Sequence, residues 1–489
     1  MLKHWRYALL MVLLIVAYAL PAMAEAPTTL TMDQAVATAL QNNCLIREAE
    51  ENARAAVEAK KSARADFLPK ASLDYGYLAL DDPPYLVVDS PVVTVVPGLG
   101  GVITGTEAEK MQVAHQQQIH WSARLTQPLF TGFALTSRYR MADLGIRIKS
   151  VEHELAAHDV IRNVKGAFLN VLLSEKMLAV REDAEKSLTA HAANGRRYYE
   201  EGLIPNNDLL ESEVALAAAV QRRVEAQARA DMAVAALNTL LNWDVNRKVV
   251  VQEVTAVPAA SPPLTDLLTE ARDARPELRA LRLESERIGE GVRLAASAYY
   301  PKVSLVGEYY QDGRNLAATE NDYSNSHNAA VAVQAKWTFF ESGKTRAETA
   351  RLKHQRKAWE DKTRAVEQDI RLEVKQAYTN LEVARTNIVT AEKALSQARE
   401  NLRINQMRFA QHIGDTTDVL DATVFLTRSE ANYYQALYGC QRAEADLERA
   451  VGRWPQGTAP TGMFQDAAEP ARFPPPGSGE PAGSGDETD

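Results

Sequence analysis

Three stretches of the 489-residue sequence bring chemistry-bearing residues close together. His153-Glu154-Leu155-Ala156-Ala157-His158 has the composition of a zinc-hydrolase helix, where two histidines hold the metal and a glutamate is the base. That chemistry needs histidines four apart on one helical face. A spacing of five turns the second ring away, so no metal site is expected. Ser342-Gly343-Lys344-Thr345 has the lysine and hydroxyl of a phosphate loop, yet Thr338 stands where that loop requires its first glycine. The segment reads instead as a strand-to-helix transition. Gly98-Leu99-Gly100-Gly101 lies in a Pro/Val/Gly-rich insertion, 81–115, expected to be a loop exposed at the cell surface. No serine or cysteine has an identifiable base partner, so no catalytic residue and no cofactor is assigned, and the chain is not expected to be an enzyme.

The N-terminus carries a different signal. Lys3 and Arg6 precede an apolar run from Ala8 to Leu20, and Ala22-Met23-Ala24 offers a small-residue cleavage site before Glu25. This pattern predicts a cleaved secretory signal over 1–24. No cysteine follows the cleavage point, so no lipid anchor is expected. Beyond it, no apolar run is long enough for a spanning helix. The net charge of −9 excludes a general nucleic-acid binder, which would be basic. An exported chain meets an oxidising compartment, so a disulfide between its two cysteines, Cys44 and Cys440, is permitted. Two separate, small, buried residues are the plainer alternative.

The elements that position these residues occur twice. Phe67-Leu68-Pro69-Lys70-Ala71-Ser72-Leu73 aligns with Tyr299-Tyr300-Pro301-Lys302-Val303-Ser304-Leu305 at an offset of 232. Leu129-Phe130-Thr131-Gly132 aligns with Phe339-Phe340-Glu341-Ser342, and Asn207-Asp208-Leu209-Leu210 with Thr417-Asp418-Val419-Leu420, both at 210. The first copy therefore carries the longer insertion, between Tyr77 and His120. Internal repetition of this kind precedes any decision on fold class. It divides the mature chain into a first repeat, 25–257, a linker, 258–263, and a second repeat, 264–455. After Trp454 the composition turns Pro/Gly/Asp/Glu-rich, and 456–489 is expected to be a disordered tail.

Proline is missing from Pro128 to Pro205 and from Pro301 to Pro455, which permits very long helices. Val366, Ile370, Val374, Ala377, Leu381, Ala384, Ile388, Ala391, Leu395, Ala398 and Leu402 keep a 3-4 spacing, and Val160, Val164, Ala167, Val171, Ser174 and Leu178 repeat it. Such a narrow seam suits helices lying side by side. A helix from about Thr345 to Arg408 rises roughly 95 Å, too long for a compact globular domain.

Two hairpins, about 70–130 and about 302–340, read as strands. Ile119, Trp121, Ala123 and Leu125 alternate with Gln118, His120, Ser122, Arg124 and Thr126; Val331, Val333, Ala335, Trp337 and Phe339 alternate with Ala332, Gln334, Lys336 and Thr338. A period of two over about ten residues, with aromatics near the ends, matches transmembrane barrel strands. Four strands cannot close a barrel in lipid, where open edges are excluded. Closure therefore demands several copies, with long helices continuing the ring as a tube.

In these features the chain resembles the TolC family of outer-membrane efflux and secretion channels, from Leu30 to Trp454. The resemblance is carried by Leu68-Pro69-Lys70-Ala71-Ser72-Leu73, Gln127-Pro128-Leu129-Phe130-Thr131-Gly132, Asp418-Val419-Leu420-Asp421-Ala422 and the duplication. It implies an α+β membrane protein: a homotrimer whose twelve-stranded β-barrel, four strands per chain, sits in outer-membrane lipid and continues into a periplasmic α-helical barrel. It also implies a passive exit duct for an inner-membrane pump, joined through a periplasmic adaptor, in tripartite efflux or type I secretion. A non-conducting, periplasm-spanning coiled-coil tether is the alternative, and the alternating strands argue against it. The cargo is not encoded here.

The resemblance also locates a gate. Turns near Gly202-Leu203-Ile204-Pro205 and His412-Ile413-Gly414 would form the periplasmic tip. Asp418 and Asp421, three apart on one helical face, would each give a trimer a ring of three carboxylates. Asp208, Phe409, Gly414 and Asp415 are the gate-associated residues. Here the chain departs from the family, in which an arginine at the position of Gly414 pairs with the aspartate matching Asp208, and a tyrosine stands at Phe409. The usual ionic lock is missing, so the gate is expected to rest on other contacts or to close less tightly. The same layout puts Cys44 and Cys440 in the mid-height belt of the helical tube, which makes their disulfide a candidate.

Overall fold

The computed structural model describes residues 29–98, 100–254, 261–411 and 413–454. The expected signal segment and tail, Leu99, His412 and residues 258–260 of the expected linker lie outside them. The duplication is legible in the elements. The first half runs β1 (Thr29–Leu30), α1 (Met32–Asn42), α2 (Cys44–Ala65), β2 (Lys70–Ala79), β3 (Tyr85–Val96), β4 (Gly100–Gln112), β5 (Gln117–Phe130), α3 (Ala134–Glu200), α4 (Asn206–Leu240) and β6 (Val250–Val251). The second runs α5 (Leu264–Ala274), α6 (Pro276–Ala296), β7 (Lys302–Gly313), β8 (His327–Lys336), α7 (Lys344–Ala410) and α8 (Thr416–Val451). Corresponding helices match in length: 67 residues for both α3 and α7, 35 and 36 for α4 and α8.

The strand-to-helix joints match as well. Gly132 and Phe133 have φ of 62° and 71°, and Ser342 and Gly343 have 48° and 84°. Two successive left-handed residues turn the chain out of the strand. At Gly132 a side chain is also impossible, because a Cβ would lie 2.5 Å from the Ser297 carbonyl oxygen. Ser342-Gly343 is thus such a joint, and Lys344 begins α7.

Contacts divide the chain into two units. One comprises the described residues of Met1–Asn52, Ser150–Ala280 and Thr363–Met463. Its cores follow the seams. Val160, Val164, Phe168 and Val171 pack with Val36, Leu237, Leu241 and Tyr438. Ile370, Val374, Ala377 and Leu381 pack with Leu267, Leu278, Cys440 and Leu447. Leu402 and Phe409 pack with Val419 and Ala422. Arg275, 4% exposed, caps α8: its guanidinium donates to the carbonyls of Arg449 (3.0 Å) and Ala450 (3.1 Å) and to Glu373 (2.7 Å). Cationic capping answers the unpaired carbonyls and negative dipole end of a helix.

The other unit comprises the described residues of Ala53–Lys149 and Leu281–Lys362. It holds an antiparallel sheet in the order β2-β5-β7-β8. The register sets Leu73 beside Ala123, Tyr309 and Ala329, and Ala71 beside Leu125, Gly307 and Val331. On the other face Ser72, Arg124, Glu308 and Ala330 form one row, and Gly76, His120 and Asp312 another. Arg124 meets Glu308 at 2.6 Å and His120 meets Asp312 at 2.6 Å. Among the described residues both outer strands leave one edge unpaired, while Leu73 and Val331 remain 73% and 80% exposed. Among the described residues no helix is long and apolar enough to cross a membrane.

One expectation changes. Residues 85–112 are not a loop: β3 and β4 pair as a two-stranded antiparallel ribbon with a bulge at Val92/Val93. Its reversal uses Gly98 (φ 94°) and Gly100 (φ 75°), and its β-branched valines favour extended backbone. The valines occupy both faces, so the segment lacks the one-sided alternation that marks a half-buried strand.

Candidate functional site

The two turns differ in how they are built. α3 ends on Gly202 (φ 72°), with Leu203 N–H donating to the Tyr198 carbonyl (2.7 Å) and Gly202 N–H to that of Tyr199 (2.9 Å). This is a Schellman closure, which glycine makes without strain. Pro205 then precedes α4. At the second turn the N–H groups of Ile413 (3.0 Å) and Gly414 (3.1 Å) both reach the Arg408 carbonyl. Asp415 caps α8 by accepting from Thr417 N–H (3.3 Å).

Gly414 packs tightly against the end of α7. A Cβ there would lie 3.0 Å from Arg408 Cβ and 3.0 Å from Phe409 N. The position where the resemblance implies an arginine therefore has no room for a side chain unless the turn moves.

Asp208, the expected partner of that arginine, instead meets carboxylates. Burial raises its pKa, and Asp415 and Glu211 raise it further. Glu211 reaches Thr417 Oγ1 at 3.5 Å and accepts from Asn207 Nδ2 at 2.8 Å. The starts of α4 and α8 thus bring together three acids, in line with the missing arginine–aspartate pair. Each helix N-terminus tolerates negative charge through its dipole, but the acids repel one another.

Cohesion comes from apolar packing. Phe409, 6% exposed, stacks on His191 with ring centroids 4.6 Å apart and on Tyr198 at 5.7 Å. His191 is itself buried, its Nε2 finds no hydrogen-bond partner among the described residues, and burial lowers its pKa.

Asp418 and Asp421 both lie on the exposed side of α8, while Val419 and Ala422 face the core at 1% exposure each. Asp418 Oδ2 is 4.0 Å from Arg408 Nη1, across the turn of its own hairpin. Asp421 has no ion-pair partner within 4.0 Å among the described residues. Sequence reasoning missed Arg408, Glu211 and His191. The signal for Arg408 was available: it and Asp418 stand equally far from Ile413 at the turn.

The two cysteines do not form the candidate disulfide: both are free. Cys440 is fully buried among Leu267, Val374 and Leu447, and burial pushes its thiol pKa up. Cys44 is exposed at the start of α2, where its Sγ lies 3.9 Å from Asn242 Oδ1. Each thiol is held by different neighbours. Of the histidines in the rejected zinc pattern, His158 is buried against Trp454, ring centroids 4.0 Å apart, and burial with nearby Arg449 lowers its pKa to about 4.

Comparison with known proteins matches both halves separately. The model of the family described as outer membrane efflux protein covers residues 35–242 and 267–453. The chain is 20% identical over 343 residues to the outer membrane protein TolC of Escherichia coli (strain K12), covering 68% of this chain and 69% of that one. In fold it is similar to the Campylobacter jejuni CmeC outer membrane channel, with a TM-score of 0.72 at 15% identity over 92% of this chain and 94% of that one. CusC gives a TM-score of 0.71 at 15% identity, over 88% and 93%.

Proposed function

Because the chain belongs to the outer membrane efflux protein family, we propose that it is the exit duct of a tripartite efflux pump or type I secretion system, acting as a homotrimer. The observation that carries this reading is the four-stranded sheet with two unpaired edges, one apolar face and one polar face. Such edges are excluded from lipid unless they pair, and three copies pair them in a twelve-stranded barrel. Leu73, Tyr309 and Val331 then face lipid, while Arg124, Glu308, His120 and Asp312 line water. The 67-residue helices, each rising about 100 Å, extend the duct across the periplasm. The chain conducts passively and performs no catalysis. A periplasmic adaptor joins it to the inner-membrane pump, and the pump selects the cargo.

Asp418 and Asp421 contribute carboxylate rings at the periplasmic entrance. That gate closes through the packing of Phe409, His191 and Tyr198 rather than through an arginine–aspartate lock.

The test is purification from outer membranes, determination of subunit number by native mass spectrometry, and planar-bilayer recording. A trimer with unitary conductance is expected. A monomer, or a trimer that never conducts, overturns the reading in favour of a structural tether.

A further inference from the structure

A groove of about 420 Å³ opens between α3, α4 and α8, its α8 lining beginning at Leu420, about 3 Å along the helix from Asp418. Leu188, Ala219 and Val424 line it with Thr423 and Thr427, and Arg181, Arg222 and Arg428 belong to the same lining. None of the three arginines has an ion-pair partner among the described residues. Several nearby carboxylates are committed elsewhere: Glu185 to Arg223 (2.6 Å), Glu213 to Arg196 (2.5 Å) and Glu430 to Arg399 (3.4 Å); Glu182 and Asp183 follow Arg181 in sequence without pairing to it. Glu225 accepts from Gln221 Nε2 at 3.2 Å. Elsewhere in the same unit, buried or half-buried arginines such as Arg275 and Arg449 are paired.

From this geometry we infer that the groove is a binding site for a small organic anion with an apolar body and a single carboxylate, sulfonate or phosphate head. Three guanidiniums without an ion-pair partner border one slot, with Glu225 acting on Arg181 only at a distance, and guanidinium binds such heads by paired, charge-assisted hydrogen bonds. The local electrostatics agree: burial and the neighbouring charges of Arg222 and Arg229 press the Arg181 pKa down, against a smaller opposing pull from Glu225, and a bound anion would relieve the remainder. Size selects the ligand class. The volume falls within the range of small-molecule pockets. The lining runs about two helical turns along α3 and α4, roughly 10 Å, and about three along α8, roughly 17 Å, a slot that suits a ring system. A ligand seated there bridges the first copy's helix pair to α8.

Isothermal titration of the full-length protein in lipid nanodiscs tests this, with naphthalene-2-sulfonate as probe, 2-naphthalenemethanol as its neutral counterpart and empty nanodiscs as baseline. Saturable binding of the sulfonate at one per chain is expected, weakened about tenfold or more in Arg181→Gln/Arg222→Gln through loss of charged hydrogen bonds. The neutral probe is expected not to saturate. Ala218→Leu, which fills the slot and leaves its charge intact, should weaken sulfonate binding as well, at an unchanged melting temperature. No saturable binding, equal affinity for the two probes, or sulfonate affinity indifferent to all three substitutions would overturn the proposal.

Discussion

The imidazole of His191 lies against the phenyl ring of Phe409, centroids 4.6 Å apart and planes inclined at 50°. The contact joins α3 of the first copy to the end of α7 in the second. It does so with a titratable group that is neutral because it is buried.

The contact is therefore sensitive to acid. A histidine whose folded pKa lies below its ordinary 6.5 takes up protons more readily when unfolded, so stability falls as pH drops below 6.5. Thermal unfolding and limited proteolysis at the turns, followed from pH 7.5 to 5.5, should show loosening in the wild type. His191→Phe should flatten that dependence; an unchanged slope would remove His191 from the gate.

Asp208 has the opposite sign. Its raised pKa means that the charged form costs stability at neutral pH, and the cost is relieved as pH falls through the raised value toward 3.8. Asp208→Asn should accordingly tighten the turns at pH 7, lowering the resting conductance and slowing proteolysis there. A leakier channel would show that Asp208 holds an attractive contact instead.

Gly414→Arg should fail to create a lock. The new Cβ presses on Arg408 and the Phe409 backbone, an overpacking cost of about 1–3 kcal/mol. A lower melting temperature and higher resting conductance are expected. Stabilisation with reduced conductance would mean that the turn opens to admit the side chain.

Single-channel recordings of Asp418→Ala and Asp421→Ala address the carboxylate rings. Both should raise conductance and blunt its sensitivity to added cations. Asp418→Ala also frees Arg408 from its 4.0 Å contact, so its effect on ion selectivity should be the larger. Recordings indistinguishable from wild type would sink the assignment.

Arg275→Ala removes a 4% exposed guanidinium from two helix-terminal carbonyls and from Glu373. Burial pushes Glu277 upward, but Arg275 and Arg449 hold it below the usual carboxylate range, so the substitution also strands that charge. Breaking such a cluster costs about 3–5 kcal/mol, measurable by denaturant unfolding. A loss under about 1 kcal/mol would indicate that water replaces the arginine.

Much of the architecture was legible because long-period signals leave marks on sequence. The proline-free runs and the 3-4 spacing of Val366 to Leu402 led to α7, and alternation at Ile119 to Leu125 led to β5. The β3–β4 ribbon escaped because its valines serve both faces of an exposed hairpin and leave no period to detect. The Arg408–Asp418 contact escaped because its signal is symmetry about the turn at Ile413, whereas helical spacing gives no distance across a turn. The cysteine pairing failed for a related reason. Rise along α8 places Cys440 in height but not on a face, and that face points into a core that Cys44 does not enter.

The equal lengths of α3 and α7 restrict how the gene can change. Each residue inserted into one helix and not the other displaces its turn by about 1.5 Å and rotates it by about 100° relative to its counterpart. Asp208 and Asp415 would lose their registration, and Phe409 would leave His191. Insertions and deletions in these helices can therefore persist only as compensated pairs, one in each half. The exposed ribbon at 85–112 can lengthen or shorten without altering either turn. Length variation among descendants of the duplicated ancestor should collect there, leaving the helical halves as molecular rulers that drift in sequence but not in size.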